Sequence, residues 1–338
     1  MSTPEAMYGS DHNGLIYGFL FSPGALTQEV DSDVAAAWLA GRFEVASGGF
    51  LWLHFSLSNT ASDRWLRQHL SLPEAFYEMC HGGISSTRLE QNGDALVGVI
   101  HDVIFDFAHD PTDVSTVNLC ILPNALISAR LRPLRSVDRL RAQVKTGESF
   151  QSTVELLAHL LRDQADVLVD IVRRTTQRVD AIEDEVLANR IPVSRRELGG
   201  LRRTMVRLQR LIAPEPAALF RLLSRGPAWI TNRDYQELRQ AAEEFAAAIS
   251  DSGALIERIK VLQEELAALV NEQTNRTLFV LTIVTVVALP VNMAAGLLGM
   301  NVSGIPLSEH PQGFFIVVFC LLVFTMLLAY VALRRFTD

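Results

Sequence analysis

The sequence predicts an α+β cytoplasmic domain, then long helices, then a C-terminal two-helix transmembrane hairpin. Three observations predict it. Mean hydropathy is +0.20 although 20% of the 338 residues are charged, so the apolar residues must be concentrated rather than spread. Two long runs near the C-terminus contain no charge at all. The hydrophobic pattern also changes from strand-like to wholly helical near residue 148. A net charge of −8 and this apolar content exclude a disordered chain, a collagen-like repeat and a basic nucleic-acid-binding face.

From residue 12 to about 145, short apolar runs alternate with turn residues and helical stretches. Leu15–Phe21, Phe50–Leu57, Asp94–Phe105 and Val117–Arg130 read as strands. Val34–Phe43 and Ala61–Leu70 have helical spacing, the second opened by Ser62 or Asp63 as a cap. Residues 1–147 thus form a mixed α/β domain with its own core. Cys80, Cys120 and Cys320 make no CxxC pair, and a reducing compartment disfavours disulfides.

Residues 148–231 are helical arms. Helices are expected over 151–190 and 194–224, broken by Pro192 and later by Pro214 and Pro216. The arms are rich in arginine, whereas the whole chain has two lysines, Lys145 and Lys260. The arginines between Arg195 and Arg210 are interleaved with other residues as on a solvated helix face. A third helix starts near Asn232–Asp234 and meets no breaker except Gly253 before Pro290. Roughly sixty residues at 1.5 Å each make a rod of about 90 Å. Residues 232–276 are its cytoplasmic stalk, and so long a helix points to assembly with copies of itself.

The first uncharged run, residues 277–300, follows Arg276; the second, 313–333, precedes Arg334 and Arg335. A helix needs about 20 apolar residues to cross a bilayer core. Both runs reach that length, and open backbone cannot face lipid, so two spanning helices result. The loop 301–312 holds Glu309 and His310 but no lysine or arginine. The positive-inside bias therefore puts the body and the tail, 334–338, in the cytoplasm. The polar N-terminus, without a signal-peptide apolar stretch, agrees.

The first span is not uniformly apolar. Steps of three and four along one face give Glu257, Val261, Glu264, Ala268, Asn271, Asn275, Leu278, Thr282, Thr285, Leu289, Asn292, Gly296 and Gly299. Polar groups within a bilayer need partners or water. Either this stripe hydrogen-bonds neighbouring helices or it lines an aqueous path inside a ring of identical helices. Three asparagines on one face, with Glu257 and Glu264 on the cytoplasmic side, favour the path. Carboxylates and amide oxygens without a cationic residue suit a cation. Pro290 leaves the Val286 carbonyl without its helical partner, beside the Thr285 level. An adjacent stripe, Leu255, Ile259, Leu262, Leu266 and Leu269, has the same period and the apolar character to pack against a neighbouring copy.

Gly299-Met300-Asn301 stands at the outer end of the first span, with a second and final span about a dozen residues later. This arrangement resembles the CorA superfamily of divalent-cation transporters, and the resemblance covers the whole plan of the chain. It implies a CorA-like homopentameric funnel whose first span lines the pore. Asn301 would bind the incoming hydrated cation, with Gly299 and Met300 shaping the turn that presents it. Asn292, Thr285 and Asn275 coincide with pore positions of the family. The continuation Asn-x-x-Gly-Ile-Pro after Met300, together with Trp52–Asn59, is more similar to the zinc-transporting ZntB branch than to magnesium-transporting members, which continue with a Met-Pro-Glu-Leu-like segment. In that branch transport is thought to be proton-coupled uptake, and export has also been assigned.

The residues themselves leave the ion open. The stripe holds no Cys or His, the ligands a dehydrated Zn²⁺ prefers, so Zn²⁺ would pass hydrated and Mg²⁺, Co²⁺, Ni²⁺ or Cd²⁺ fit the same path. Glu309 and His310 are candidates to attract cations or relay protons. Cys80, His81, His101 and His109 are candidates for a regulatory zinc site, with scattered structural roles the better reading. Cys320 is expected to face lipid or packing. No Walker loop, dinucleotide glycine pattern, HExxH or GxSxG motif is present. An enzyme and a resident cofactor are therefore not expected. A membrane-anchored sensor or scaffold remains as a rival from another class.

Overall fold

The computed structural model describes residues 9–41, 48–82, 87–104, 114–187, 191–224, 226–300 and 310–337. The chain divides into two compact units, Met1–Leu262 and Gln263–Asp338.

In the first unit the described strands are β1 (Leu15–Phe21), β2 (Gln28–Val30), β3 (Phe50–Ser56), β4 (Arg88–Asn92), β5 (Ala95–Val103), β6 (Val114–Ile121) and β7 (Ala125–Arg130). They form one sheet in the order β2-β1-β3-β7-β6-β5-β4. Every pairing is antiparallel except the central β3–β7 pair. Strands covered on both faces read as continuous apolar runs, and β5 and β7 are buried at every position.

Two helical layers cover this sheet. On one face lie α1 (Ser32–Leu39), α2 (Ala61–His69) and α3 (Glu74–His81), which bury Trp38, Trp65, Leu66 and Phe76 against Leu51, Leu53, Phe55 and Ile127. On the other lie α4 (Arg135–Lys145), α5 (Thr153–Leu187), α7 (Pro214–Ser224) and the start of α8 (Asn232–Leu298). Their side chains Leu140, Leu157, Leu161, Leu219 and Leu238 pack on Trp52, Ile100, Leu119 and Leu126. The helix α6 (Ile191–Ile212) runs beside α5, where Arg178 pairs with Glu197.

Several boundaries differ from the sequence reading, each for a local reason. The expected strand 117–130 is a hairpin of β6 and β7, because Pro123 cannot donate to a ladder and Asn124 favours a turn; Leu122 N–H closes it on the Ala125 carbonyl at 2.8 Å. Neither Ser62 nor Asp63 caps α2. Asn59 Oδ1 accepts the Ala61 N–H at 3.0 Å, and Ser62 Oγ donates instead to the Ser56 carbonyl at 2.7 Å. The expected helix 194–224 is two helices, and Pro192 lies inside the first turn of α6 while Pro214 begins α7. At those positions proline gives up an N–H that a helix start leaves unpaired anyway.

In the second unit, the remainder of α8 and α9 (Gly313–Thr337) are the described elements. Gly253 and Pro290 both lie within α8 without ending it. By length and composition α8 is able to cross a membrane, and α9 holds a shorter apolar stretch, Gly313–Leu328. Each helix has one shielded face: Phe279, Ile283, Val287, Pro290 and Ala294 on α8, and Val317, Leu321, Thr325 and Leu328 on α9. These spacings of three and four are those of one helix face.

Candidate cation path

The polar stripe can now be placed on α8. Asn271, Asn275, Leu278, Thr282, Thr285, Leu289, Asn292, Gly296 and Gly299 are all exposed in the single chain, as are Glu257 and Glu264 nearer its N-terminus. At about 100° per residue the stripe from Asn271 to Gly299 is centred roughly 140° from the shielded face. It points away from the half-buried face of α8. The adjacent apolar stripe is divided: Leu255, Ile259 and Leu266 are buried within the chain and unavailable to a neighbouring copy, whereas Leu262 is half-buried and Leu269 exposed.

The threonines of the stripe have a fixed polarity. Thr282 Oγ1 donates to the Leu278 carbonyl and Thr285 Oγ1 to the Leu281 carbonyl, both at 2.8 Å. Each hydroxyl hydrogen is thereby spent on the helix's own backbone, and each oxygen presents only lone pairs outward. Nearer the N-terminus, Lys260 lies 3.4 Å from Glu257, so that carboxylate has a local counter-charge. The carboxylates of Asp180 and Glu183 on α5 both hold Arg258 at 2.6 Å, which fixes this N-terminal stretch of α8 to α5.

At its far end α8 stops at Leu298. The Gly299 N–H bonds the Ala295 carbonyl at 3.0 Å, and the Met300 N–H reaches the Leu297 carbonyl at 3.4 Å. A Cβ at position 299 would stand 3.0 Å from the Ala295 oxygen, so glycine eases this tight finish. Asn301 and Glu309 lie outside the described residues. His310 is exposed; its Nδ1 accepts the Gln312 N–H at 3.3 Å and its carbonyl accepts the Gly313 N–H at 2.9 Å, which places it at the start of α9. Cys320 is exposed on α9.

The candidate regulatory metal ligands are not brought together. Cys80 and His81 sit on α3, where burial pushes the Cys80 thiol up to about 12 and His81 Nδ1 lies 2.7 Å from the Tyr77 carbonyl. His101 is buried in β5 with Nδ1 2.8 Å from Thr87 Oγ1. His109 lies outside the described residues. Among the described residues no group of three or more His, Cys, Asp or Glu side chains is arranged to hold a metal.

Sequence reasoning missed two buried polar nodes. Asp102 of β5 accepts from Ser136 N at 2.9 Å and Ser136 Oγ at 2.5 Å, which caps α4. Glu215 of α7 accepts the His101 N–H at 2.7 Å. Neither has a local sequence signal, because the partners are 34 and 114 residues apart.

Residues 47–335 match the family model described as CorA-like Mg²⁺ transporter protein. The chain is 28% identical over 324 residues to the divalent cation transporter CmaX of Pseudomonas aeruginosa, covering 94% of this chain and 95% of that one. It is 25% identical over 313 residues to the zinc transport protein ZntB of Pectobacterium carotovorum, covering 92% of each. The solved structure of full-length CmaX superposes with a TM-score of 0.81 at 25% identity, over 98% of this chain and 100% of that one. With the stripe, the glycine finish of α8 and the two apolar helices already in place, these matches show that the chain belongs to the CorA superfamily.

Proposed function

We propose that the protein transports divalent cations, Zn²⁺ first among them, across the bacterial inner membrane through a homopentamer, with both chain termini in the cytoplasm. One observation carries this reading: the stripe from Asn271 to Gly299, which Met300 and Asn301 follow in the sequence, faces away from the half-buried face of α8. A single hairpin encloses nothing. Copies arranged around an axis would turn these faces inward, Asn301 at the outer mouth and Glu257 and Glu264 at the cytoplasmic end.

The chemistry of the wall matches a hydrated cation. Water bound to a divalent ion points its hydrogens outward, and such ions give up that water reluctantly. Outward lone pairs from Thr282 and Thr285, and the amide oxygens of Asn271, Asn275, Asn292 and Asn301, accept those hydrogens. A hydrated anion would need donors instead. Relatives described as zinc and divalent-cation transporters support this substrate class. Coupling to protons is part of the proposal, with Glu309 and His310 as outer groups that attract cations or relay protons.

A second reading, a Mg²⁺/Co²⁺ channel, draws on the retained Met300 and on a stripe without Cys or His. Purified protein in liposomes with a zinc-sensitive dye, with and without a pH gradient, separates the two. Zinc influx that Asn301→Ala abolishes is the expected result. Magnesium flux without zinc flux selects the second reading. Absence of both leaves a membrane-anchored sensor or scaffold.

A further inference from the structure

The parallel pair β3–β7 at the centre of the sheet carries a buried polar cluster on the face that α4 covers. Strand alternation puts Tyr17 of β1, Trp52 and His54 of β3, and Ser128 and Arg130 of β7 on that face, with His54 opposite Ser128 in register. His54 and Arg130 are 0% and 3% exposed.

The hydrogens of this cluster have one consistent arrangement. Arg130 Nε always carries its hydrogen and donates it to His54 Nε2 at 2.8 Å, so Nε2 is an acceptor. A neutral imidazole with Nε2 bare carries its hydrogen on Nδ1, which lies 2.7 Å from Ser128 Oγ. Ser128 Oγ also accepts the Trp52 indole N–H at 3.0 Å and turns its own hydrogen toward the Leu53 carbonyl, 3.4 Å away. The neutral tautomer thus gives each of these hydrogens an acceptor. A second hydrogen on the ring has one place to go, Nε2, where it would meet the Arg130 donor.

The surroundings sharpen that conflict. Tyr17 stacks on His54 with ring centres 4.7 Å apart, and the Arg141 guanidinium of α4 lies 4.6 Å over the Tyr17 ring. Burial, then the charges of Arg130 and Arg141, oppose a proton on His54 and hold it well below the usual histidine range. Asp138 of α4 is the carboxylate on which both arginines act, one negative charge against two positive. On the α4 side the contacts are incomplete: Tyr17 OH, Asp138 Oδ2 and Arg141 Nε are each buried without a hydrogen-bond partner. Helix α5, over the same face, contributes the apolar Leu157 and Leu161.

We propose that the Arg130–His54 hydrogen bond is an acid-sensitive catch that holds α4 on the centre of the sheet, closed while His54 is neutral and opened by a proton on Nε2. Once the catch is open, His54 regains its ordinary proton affinity, near 6.5. The catch therefore has its full strength above about pH 6.5 and loses up to about tenfold in equilibrium per pH unit below it. Titration of Asp138, and of Asp102 that caps α4, runs the other way, because burial raises both and acid then favours the folded form. This inference stands independently of which ion is transported.

Two measurements on the full-length protein in lipid test it. Solid-state nitrogen NMR of the histidine-labelled protein should show His54 with its hydrogen on Nδ1 and with Nε2 bare at neutral pH. Hydrogen exchange over 135–145, taken relative to α2 on the opposite face of the sheet, should be constant above about pH 6.5 and rise below it by up to about tenfold per pH unit. His54→Gln, which takes up no proton, should flatten that rise. A hydrogen on Nε2, a relative exchange that stays constant down to about pH 5, or a rise that survives in His54→Gln overturns the inference. The first two outcomes are read on the wild type alone, so they decide the matter even where the variant does not fold.

Discussion

Thr285 has no hydroxyl hydrogen left for anything outside its own helix, because the Leu281 carbonyl holds it at 2.8 Å. A ring of such residues is electronegative by construction and differs in kind from a ring of serines free to rotate. Replacing Thr285 by valine keeps the shape and removes the lone pairs. Cation flux should then fall by about tenfold, equivalent to roughly 1.4 kcal/mol of lost stabilisation, while Thr285→Ser retains most of it. Unchanged flux in the valine variant would remove Thr285 from the path. That Thr282, Thr285 and the asparagines share a face was legible from spacing alone. The polarity of the hydroxyls was not, since it depends on a rotamer and a backbone bond that spacing does not encode.

Among the elements, α4 shows where local reading ends. Its own N-terminal neighbour is Leu134, which makes no side-chain cap, and the capping carboxylate comes from Asp102 in β5. Asp102→Ala should therefore destabilise the N-terminal α/β domain by about 1–3 kcal/mol, the cost of unpairing buried donors. Denaturant unfolding of the purified protein would measure it; a loss near zero would mean that α4 does not depend on this cap. The strands β1, β3 and β5 were readable because their apolar runs are long and bounded by turn residues. The edge strand β4, Arg-Leu-Glu-Gln-Asn, has one apolar side chain, and β2 has three residues in all. Such segments are strands only because a neighbour pairs with them, so their own sequence does not announce it. Much the same holds for the stripe Leu255, Ile259, Leu262, Leu266 and Leu269, whose heptad period suggested a partner copy and of which Leu255, Ile259 and Leu266 are buried. Its burial within the chain shows that period alone does not name the partner.

For the molecule as a whole, the concentrated apolar residues gave the two C-terminal helices and their order, and the residues interrupting the first run gave the face on which the proposed path rests. What no single chain reveals is the partner that closes the path. If the exposed face of α8 is the wall of a pore, native mass spectrometry of the detergent-purified protein should find five chains together. A monomer carrying no flux would return the hairpin to the role of an anchor. The outward stripe has one more consequence, and it concerns inheritance rather than chemistry. If the wall is built from five chains, as proposed, a chain that owns only one panel of it cannot be defective in private. In a cell that makes normal and Asn301-substituted copies at equal levels, nearly every assembly contains an altered panel, so the lesion behaves as dominant although half the chains are sound.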